Sequence, residues 1–249
     1  MADKIRILLT NDDGYHADGL TALEQGLADI ADVYVVAPES EMSGASHSLT
    51  LARPLRIRQI DERHWTVDGT PTDCVTLALN QILAPDLRPQ ICCSGINPGA
   101  NLGDDATYSG TVAGAMESTI LGVPGLAFSL AAYRDHDFTE SVNVARQITQ
   151  KAIAEGLPDG TLLNVNIPKG VSLGLRITKQ GFKSARPVIS ELIDPRGKPY
   201  YWIGEVREGF RAEGGTDFEA IEEGFVSVTP MRSDLTDHGA IQLLSGWNA

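Results

Sequence analysis

The stretch that most constrains this chain is residues 5–19. Ile5 to Thr10 is a short apolar run, broken only by Arg6, and it leads directly into Asn11, Asp12, Asp13 and Gly14. Such a run marks a strand buried on both faces, the pattern of a parallel sheet. A helical pattern follows from Gly19 to Asp29, with Leu20, Leu23, Leu27 and Ile30 spaced along one face. Val33 to Ala37 reads as a second strand, ended by Pro38. Together these make a βαβ unit, so the two strands are expected to be parallel. In an open α/β sheet, ligands bind outside the carboxyl ends of the strands. Two adjacent carboxylates stand there. A buried unpaired charge is costly, and the natural partner for such a pair is a hard divalent cation, Mg²⁺ or Mn²⁺. Asn-Asp-Asp-Gly is also ordinary turn chemistry, so the rest of the chain has to decide.

The length of 249 residues suits one large α/β domain with a real core. A formal net charge of -13 repels a phosphate backbone and argues against binding a nucleic-acid polymer. A small anion would need local neutralisation by a cation or by helix N-termini. The amino-terminal Met-Ala-Asp-Lys does not read as a signal peptide, and no apolar run approaches a membrane span. Cys74, Cys92 and Cys93 lack metal-site spacing and read as reduced thiols filling core space. The expectation is a cytoplasmic protein with no membrane partner.

Pro38 to Thr50 is a Ser- and Gly-rich loop leaving the carboxyl end of the second strand, which carries Ser43, Ser46 and Ser48 to the sheet edge of Asp12 and Asp13. Leu55–Ile60 and Trp65–Val67 alternate as a hairpin. Pro71 opens a helix running to Leu83, with Thr70 or Thr72 as its cap. Gln90 to Ser94 is another buried strand, and its end delivers a second dense segment from Ser94 to Glu117. Asn97 follows that strand as Asp12 follows the first. Ser109-Gly110-Thr111 then opens a helix of small residues. Free N–H groups at a helix start, with two hydroxyls, can hold phosphate; a capped helix packed closely through its glycines is the plainer alternative. Strands are expected at Gly125–Leu130 and Leu162–Ile167, with a helix between them opened by an Asp137–Glu140 capping box.

The character changes near residue 170. Leu173–Thr178, Tyr200–Ile203 and Gly224–Thr229 read as strands, separated by polar stretches carrying Lys183, Arg186, Arg196 and Lys198. Thr236–Trp247 reads as a short helix. Long irregular connections are uncommon unless they are functional or meet a partner. The chain is therefore read as one domain over 1–249, with a core over 1–170 and a strand-rich extension over 171–249 used in oligomerisation.

Leu8–Gly14, Ala37–Thr50, Gly69–Cys74, Ser94–Asp105 and Tyr108–Glu117, in that order, resemble the SurE (survival protein E) family. Asp194–Gly197, Tyr201–Gly204, Gly215–Phe218 and Glu223–Pro230 extend the similarity nearly end to end. The resemblance implies a Rossmann-like three-layer αβα fold with a mostly parallel central sheet. It implies a metal-dependent acid phosphatase that hydrolyses nucleoside 5′- and 3′-monophosphates, with some members also trimming polyphosphate. The ligand set it implies for one Mg²⁺ or Mn²⁺ per subunit is Asp12, Asp13, Ser43 and Asn97. It also implies homodimers or homotetramers joined through C-terminal segments. His47 stands where relatives often have Asn, and its role stays open.

The expected chemistry is metal-assisted phosphoester hydrolysis. Asp12 and Asp13 are its catalytic residues, with either water or Asp12 as the nucleophile. Asn101, Ser109, Gly110 and Thr111 are the expected phosphate-side groups. A metal- or nucleotide-binding regulator without turnover is the alternative. A dinucleotide-binding oxidoreductase would need Gly-x-Gly-x-x-Gly after the first strand, and Asn11–His16 is not that.

Overall fold

Strand β1 (Arg6–Thr10) lies inside the sheet that organises the molecule. The later strands are β2 (Asp32–Pro38), β3 (Ile57–Gln59), β4 (His64–Val67), β5 (Ile91–Pro98), β6 (Gly125–Ala131), β7 (Thr161–Pro168), β8 (Leu175–Ile177), β9 (Pro187–Ile193), β10 (Pro199–Glu205) and β11 (Val226–Arg232). The helices are α1 (Asp18–Leu27), α2 (Pro71–Leu77), α3 (Gly110–Ile120), α4 (Thr139–Glu155), α5 (Asp217–Glu222) and α6 (His238–Leu244). The computed structural model describes residues 5–132, 134–183, 187–205 and 213–247; Met1–Lys4 and Arg186, read above, lie outside the described residues.

The described residues form a nine-stranded sheet in the order β3-β4-β2-β1-β5-β6-β7-β11-β8, with β9 and β10 paired apart from it. Neighbours from β4 through β7 are parallel. The edge strand β3 and the later β11 run antiparallel to their neighbours β4 and β7. The fold is α/β with a mostly parallel sheet and helices on both faces, as expected.

The apolar runs explain this burial. Because side chains alternate along a strand, Ile7, Leu9, Val33, Val35, Ile91 and Cys93 face one layer. There they pack with Leu20, Leu23 and Leu27 of α1 and with Val144 and Ile148 of α4. Leu8, Tyr34, Val36 and Cys92 face the other layer and pack with Cys74 and Val75 of α2. The three cysteines are free and buried, matching their core reading.

Several elements depart from the sequence expectation. The helix opened by Pro71 is α-helical only to Leu77 and continues as a π turn over Ala78–Ile82. Its cap is Thr70, whose side chain accepts from Asp73 N–H while Asp73 accepts from Thr70 N–H. The Asp137–Glu140 box does not form, because Phe138 occupies the cap position. Asp137 instead accepts from Thr139 N–H at 2.9 Å, and Glu140 accepts from Ser172 N–H and Oγ. β9 lies in a stretch read as polar and irregular. Its partner β10 supplies the pairing that its own sequence did not advertise. α5, in a segment read only as rich in Gly and charge, is capped by Thr216, which accepts from Glu219 N–H. β8 and β11 complete the main sheet, so part of the C-terminal region belongs to the body of the fold.

Candidate active site

β1 and β5 are neighbours in register, with Thr10 opposite Ser94. Asp12 and Asp13 leave β1 at the same sheet edge to which β5 carries Asn97. Between Ser94 and Asn97 the pairing slips: three residues of β5 span two of β6. This bulge re-aims the end of the strand, a device common beside active sites. Gly95 makes it feasible, with φ +128 and no room for a Cβ, which would lie 2.3 Å from Phe128 O. Asn97 is half-buried and donates from Nδ2 to Gly99 O at 2.7 Å.

Asp12 is buried, and the start of α3 closes over it. Thr111 Oγ1 donates to Asp12 Oδ1 at 2.5 Å. The Gly110 and Thr111 main-chain N–H groups also bond the carboxylate. A carboxylate is favoured there because those N–H groups have no partner within the helix and the helix dipole is positive at that end. Burial pushes the Asp12 carboxyl above its usual range, and these hydrogen bonds pull it back in part. Gly110 is needed for the approach: a Cβ would come 2.6 Å from Asp12 Cβ.

Asp13 has no comparable support. Its Oδ2 is buried and accepts no hydrogen bond. Burial, then the negative charges of Asp12 and Glu41, push its carboxyl up to about 7. Nearby, Thr10 Oγ1, Asn11 Oδ1 and Ser94 Oγ are buried side-chain oxygens without a hydrogen-bond partner. Buried polar atoms are normally satisfied, so an orphaned carboxylate oxygen beside a second buried carboxylate fits a divalent cation. Among the described residues, no group of three or more His, Cys, Asp and Glu could hold a metal. The candidate set is instead two carboxylates with neutral hydroxyl and amide oxygens, a hard-oxygen set suited to Mg²⁺ or Mn²⁺.

The loop after β2 also meets the acidic turn. Met42 N–H donates to Asp12 O at 2.7 Å, which places neighbouring Ser43 beside the acidic turn. Ser43 is exposed and its Oγ donates to Glu41 Oε1 at 2.9 Å. Further along, Ser46 N–H donates to Tyr108 O, and Ser46 Oγ to Thr107 O at 2.6 Å. His47 Nε2 lies 2.8 Å from Oε2 of the buried Glu117, whose other oxygen accepts from Thr76 Oγ1. The His47 hydrogen bond, against the opposing effect of burial, holds Glu117 below the usual carboxylate range. His47 is thus an anchor between the serine loop and α3.

The structure places the expected phosphate-side residues in different settings. Gly110 and Thr111 meet Asp12 directly. Ser109 caps α3, its Oγ accepting from Val112 N–H at 3.1 Å. Its hydroxyl proton has no acceptor among the described residues, and Ser109 lines a cleft of about 290 Å³ with Ser46, His47, Met116 and Leu235. Asn101 is buried, and its Nδ2 donates to Ser129 Oγ at 2.8 Å, deeper in the sheet. A larger cavity of about 400 Å³ lies between α4 and β8, is lined mainly by apolar side chains, and includes none of these residues. Residues that sequence reading missed are Glu41, through its charge on Asp13, and Glu117. The spacing of Glu117 from Ser109 along α3 was the available signal.

A sheet of this kind, with an acidic strand-end turn under a helix N-terminus, defines a Rossmann-like α/β protein built to bind at its carboxyl edge. Comparison with known proteins gives the particular lineage. The family described as Survival protein SurE matches residues 7–187, and the chain belongs to that family. It is 49% identical over 244 residues to a protein of Myxococcus xanthus (strain DK1622) named 5′-nucleotidase SurE, covering 97% of this chain and 93% of that one. A protein of Aquifex aeolicus (strain VF5) with the same name is 47% identical over 235 residues, covering 93% of each chain. A crystal structure of SurE protein from Aquifex aeolicus superposes with a TM-score of 0.87 at 44% identity, covering 98% of this chain and 100% of that one.

Proposed function

We propose that this protein is a divalent-metal-dependent phosphomonoesterase that hydrolyses nucleoside 5′- and 3′-monophosphates to nucleoside and phosphate, with short polyphosphate as a further substrate. The observation that carries this reading is the pairing of two unlike carboxylates. Asp12 is seated on a helix start, whereas Asp13 keeps a buried oxygen without a partner. Relatives named 5′-nucleotidase SurE support the substrate class. Asp12, Asp13, Ser43 and Asn97 would hold one Mg²⁺ or Mn²⁺. When bound, such a cation supplies polarisation of a phosphoryl oxygen and activation of water. Thr111 and the α3 N–H groups fix the Asp12 oxygens, so only limited rearrangement is needed on binding. Ser109 Oγ, with its proton uncommitted, is the donor suited to a phosphoryl oxygen. Serine-type hydrolysis has no support, because no Ser-His-Asp arrangement is legible.

The protein is further proposed to act in the cytoplasm as a homodimer or homotetramer. Three free buried cysteines suit a reducing compartment. No helix among the described residues is long and apolar enough to cross a membrane. Val188, Ile189, Leu192, Ile193, Trp202 and Ile203 are exposed on the β9–β10 hairpin, which pairs with no other described strand. A lone hairpin is marginally stable in water, and a second copy would cover that surface.

The test is phosphate release from a nucleoside monophosphate. Chelated protein is expected to be inactive, and Mn²⁺ or Mg²⁺ to restore turnover. Full activity in metal-stripped protein would overturn the reading, and binding without turnover would favour a regulator.

A further inference from the structure

We infer that Asp217 is a positioning residue for the phosphate-side segment, gripping Gly103 from the far end of the chain; this rests on the function proposed above. Asp217 is completely buried on α5, 114 residues from Gly103 in sequence. Its Oδ2 accepts from Gly103 N–H at 2.8 Å. Its Oδ1 accepts from Gly181 N–H and from Phe218 N–H, both at 2.9 Å. Gln180 Nε2 donates to Gly103 O at 2.9 Å, so both main-chain groups of Gly103 are taken by C-terminal side chains.

The preceding residues are held in the same way. Asn101 N–H donates to Asn166 Oδ1 at 2.8 Å, and Asn101 O accepts from Asn164 Nδ2 and Asn166 Nδ2. This loop has no ladder of its own, yet its buried polar groups must be paired. Side chains of β7, α5 and the strand-free Gln180 do the pairing. Gly103 is also the only residue type that fits, with φ +52 and a notional Cβ 2.6 Å from Phe218 Cε2. A short 3₁₀ turn, Gly103–Thr107, then leads to Ser109 and to the Gly110 and Thr111 groups that meet Asp12. The start of that run is therefore set by where Gly103 sits, while Ser46 holds its later part through Thr107 O and Tyr108 O.

The division of labour between the two Asp217 oxygens makes a selective test. In Asp217→Asn, the amide oxygen can keep the two donors of Gly181 and Phe218. The NH₂ then faces Gly103 N–H, donor against donor, and only the link to the site loop is lost. Thr216→Ala is the control. It removes the α5 cap to Glu219 N–H and touches no contact to Gly103.

The experiment measures KM and kcat for a nucleoside monophosphate at saturating Mn²⁺, competitive inhibition by inorganic phosphate, and Mn²⁺ affinity by calorimetry. Asp217→Asn is expected to raise KM and the phosphate inhibition constant about five- to tenfold, the scale of part of a charge-assisted hydrogen bond. Its Mn²⁺ affinity is expected to change less than about twofold. Thr216→Ala is expected to lower thermal stability and leave both constants unmoved. If Asp217→Asn does not fold, Gln180→Ala frees the Gly103 carbonyl alone, and a rise of about two- to threefold is expected. Unchanged constants in a folded variant, or an equal rise in Thr216→Ala, would overturn the inference. Absence of turnover by the wild-type protein would overturn the proposed function instead.

Discussion

The parallel half of the sheet and the β9–β10 hairpin both carry large apolar side chains on strands, yet they use that apolar surface differently. In β1, Ile7, Leu8 and Leu9 are fully buried between helix layers. In β10, Tyr201, Trp202 and Ile203 are more than half exposed. The first region is complete within one chain. The second holds backbone hydrogen bonds across a two-strand ladder and leaves its side chains for something else to cover. Residues that stabilise the chain are thus distinct from residues that shape what it meets.

The two regions are expected to differ most in stability. Phe128 is buried in the parallel core, and Phe128→Ala is expected to lower unfolding free energy by about 3–5 kcal/mol in denaturant titration. Trp202→Ser, at an exposed hairpin position, is expected to stay within about 0.5 kcal/mol for the isolated chain. Instead it is expected to lower the sedimentation coefficient at micromolar concentration. Equal losses in the two variants would erase the distinction.

The site tolerates costs that the core does not. Asp12→Asn is expected to reduce kcat/KM by about a hundredfold or more, alongside weaker metal binding, measured by kinetics and calorimetry on the same sample. Asp13 gives a pH signature in chelated protein. Its carboxyl stands near 7 in the fold against 3.8 ordinarily, so the fold favours the protonated form. That contribution is complete below the ordinary value and is lost as pH rises through 7. Thermal stability of chelated protein is therefore expected to fall between about pH 4 and 8, by roughly 2 kcal/mol after solvent screening. Asp13→Asn should make the slope shallower, leaving the part that the buried Asp12 contributes, and saturating Mn²⁺ should remove it. A pH-independent midpoint would contradict this.

A smaller effect separates the two hydroxyls at the α3 start. Ser109→Ala is expected to cost about 1.5–3 kcal/mol in kcat/KM with metal affinity nearly unchanged. Thr111→Ala is expected to weaken metal affinity as well, because its hydroxyl is committed to Asp12. Thr111→Ser should recover most of that loss. If Ser109→Ala lost metal binding and Thr111→Ala did not, the roles would be reversed.

Much of this was legible because burial writes itself into sequence. Ile5–Thr10, Val33–Ala37 and Gln90–Ser94 read as buried strands, and the strand-to-turn junctions located Asp12, Asp13 and Asn97. β9 was not legible. Its residues Val188–Ile193 mix apolar and polar side chains that face solvent on a projecting ladder, so no core face imposed an alternation. The bulge at Gly95 left only a glycine as its mark. The Thr111–Asp12 bond escaped because it joins residues 99 apart in sequence, and spacing carries no signal over such a distance. Asp217 was hidden for the same reason, since its partner lies across the whole fold.

The hairpin turn has a consequence for how this chain can be altered. Asp194 closes it, accepting from the N–H groups of Arg196 and Lys198 while its own N–H donates to Lys198 O, and Gly197 takes φ +77. The ladder pairs with no other described strand. Added sequence at the tip would lengthen a loop, a cost that grows only slowly with length. The tip, rather than the exposed apolar faces of the strands, is therefore the natural place to carry a foreign module.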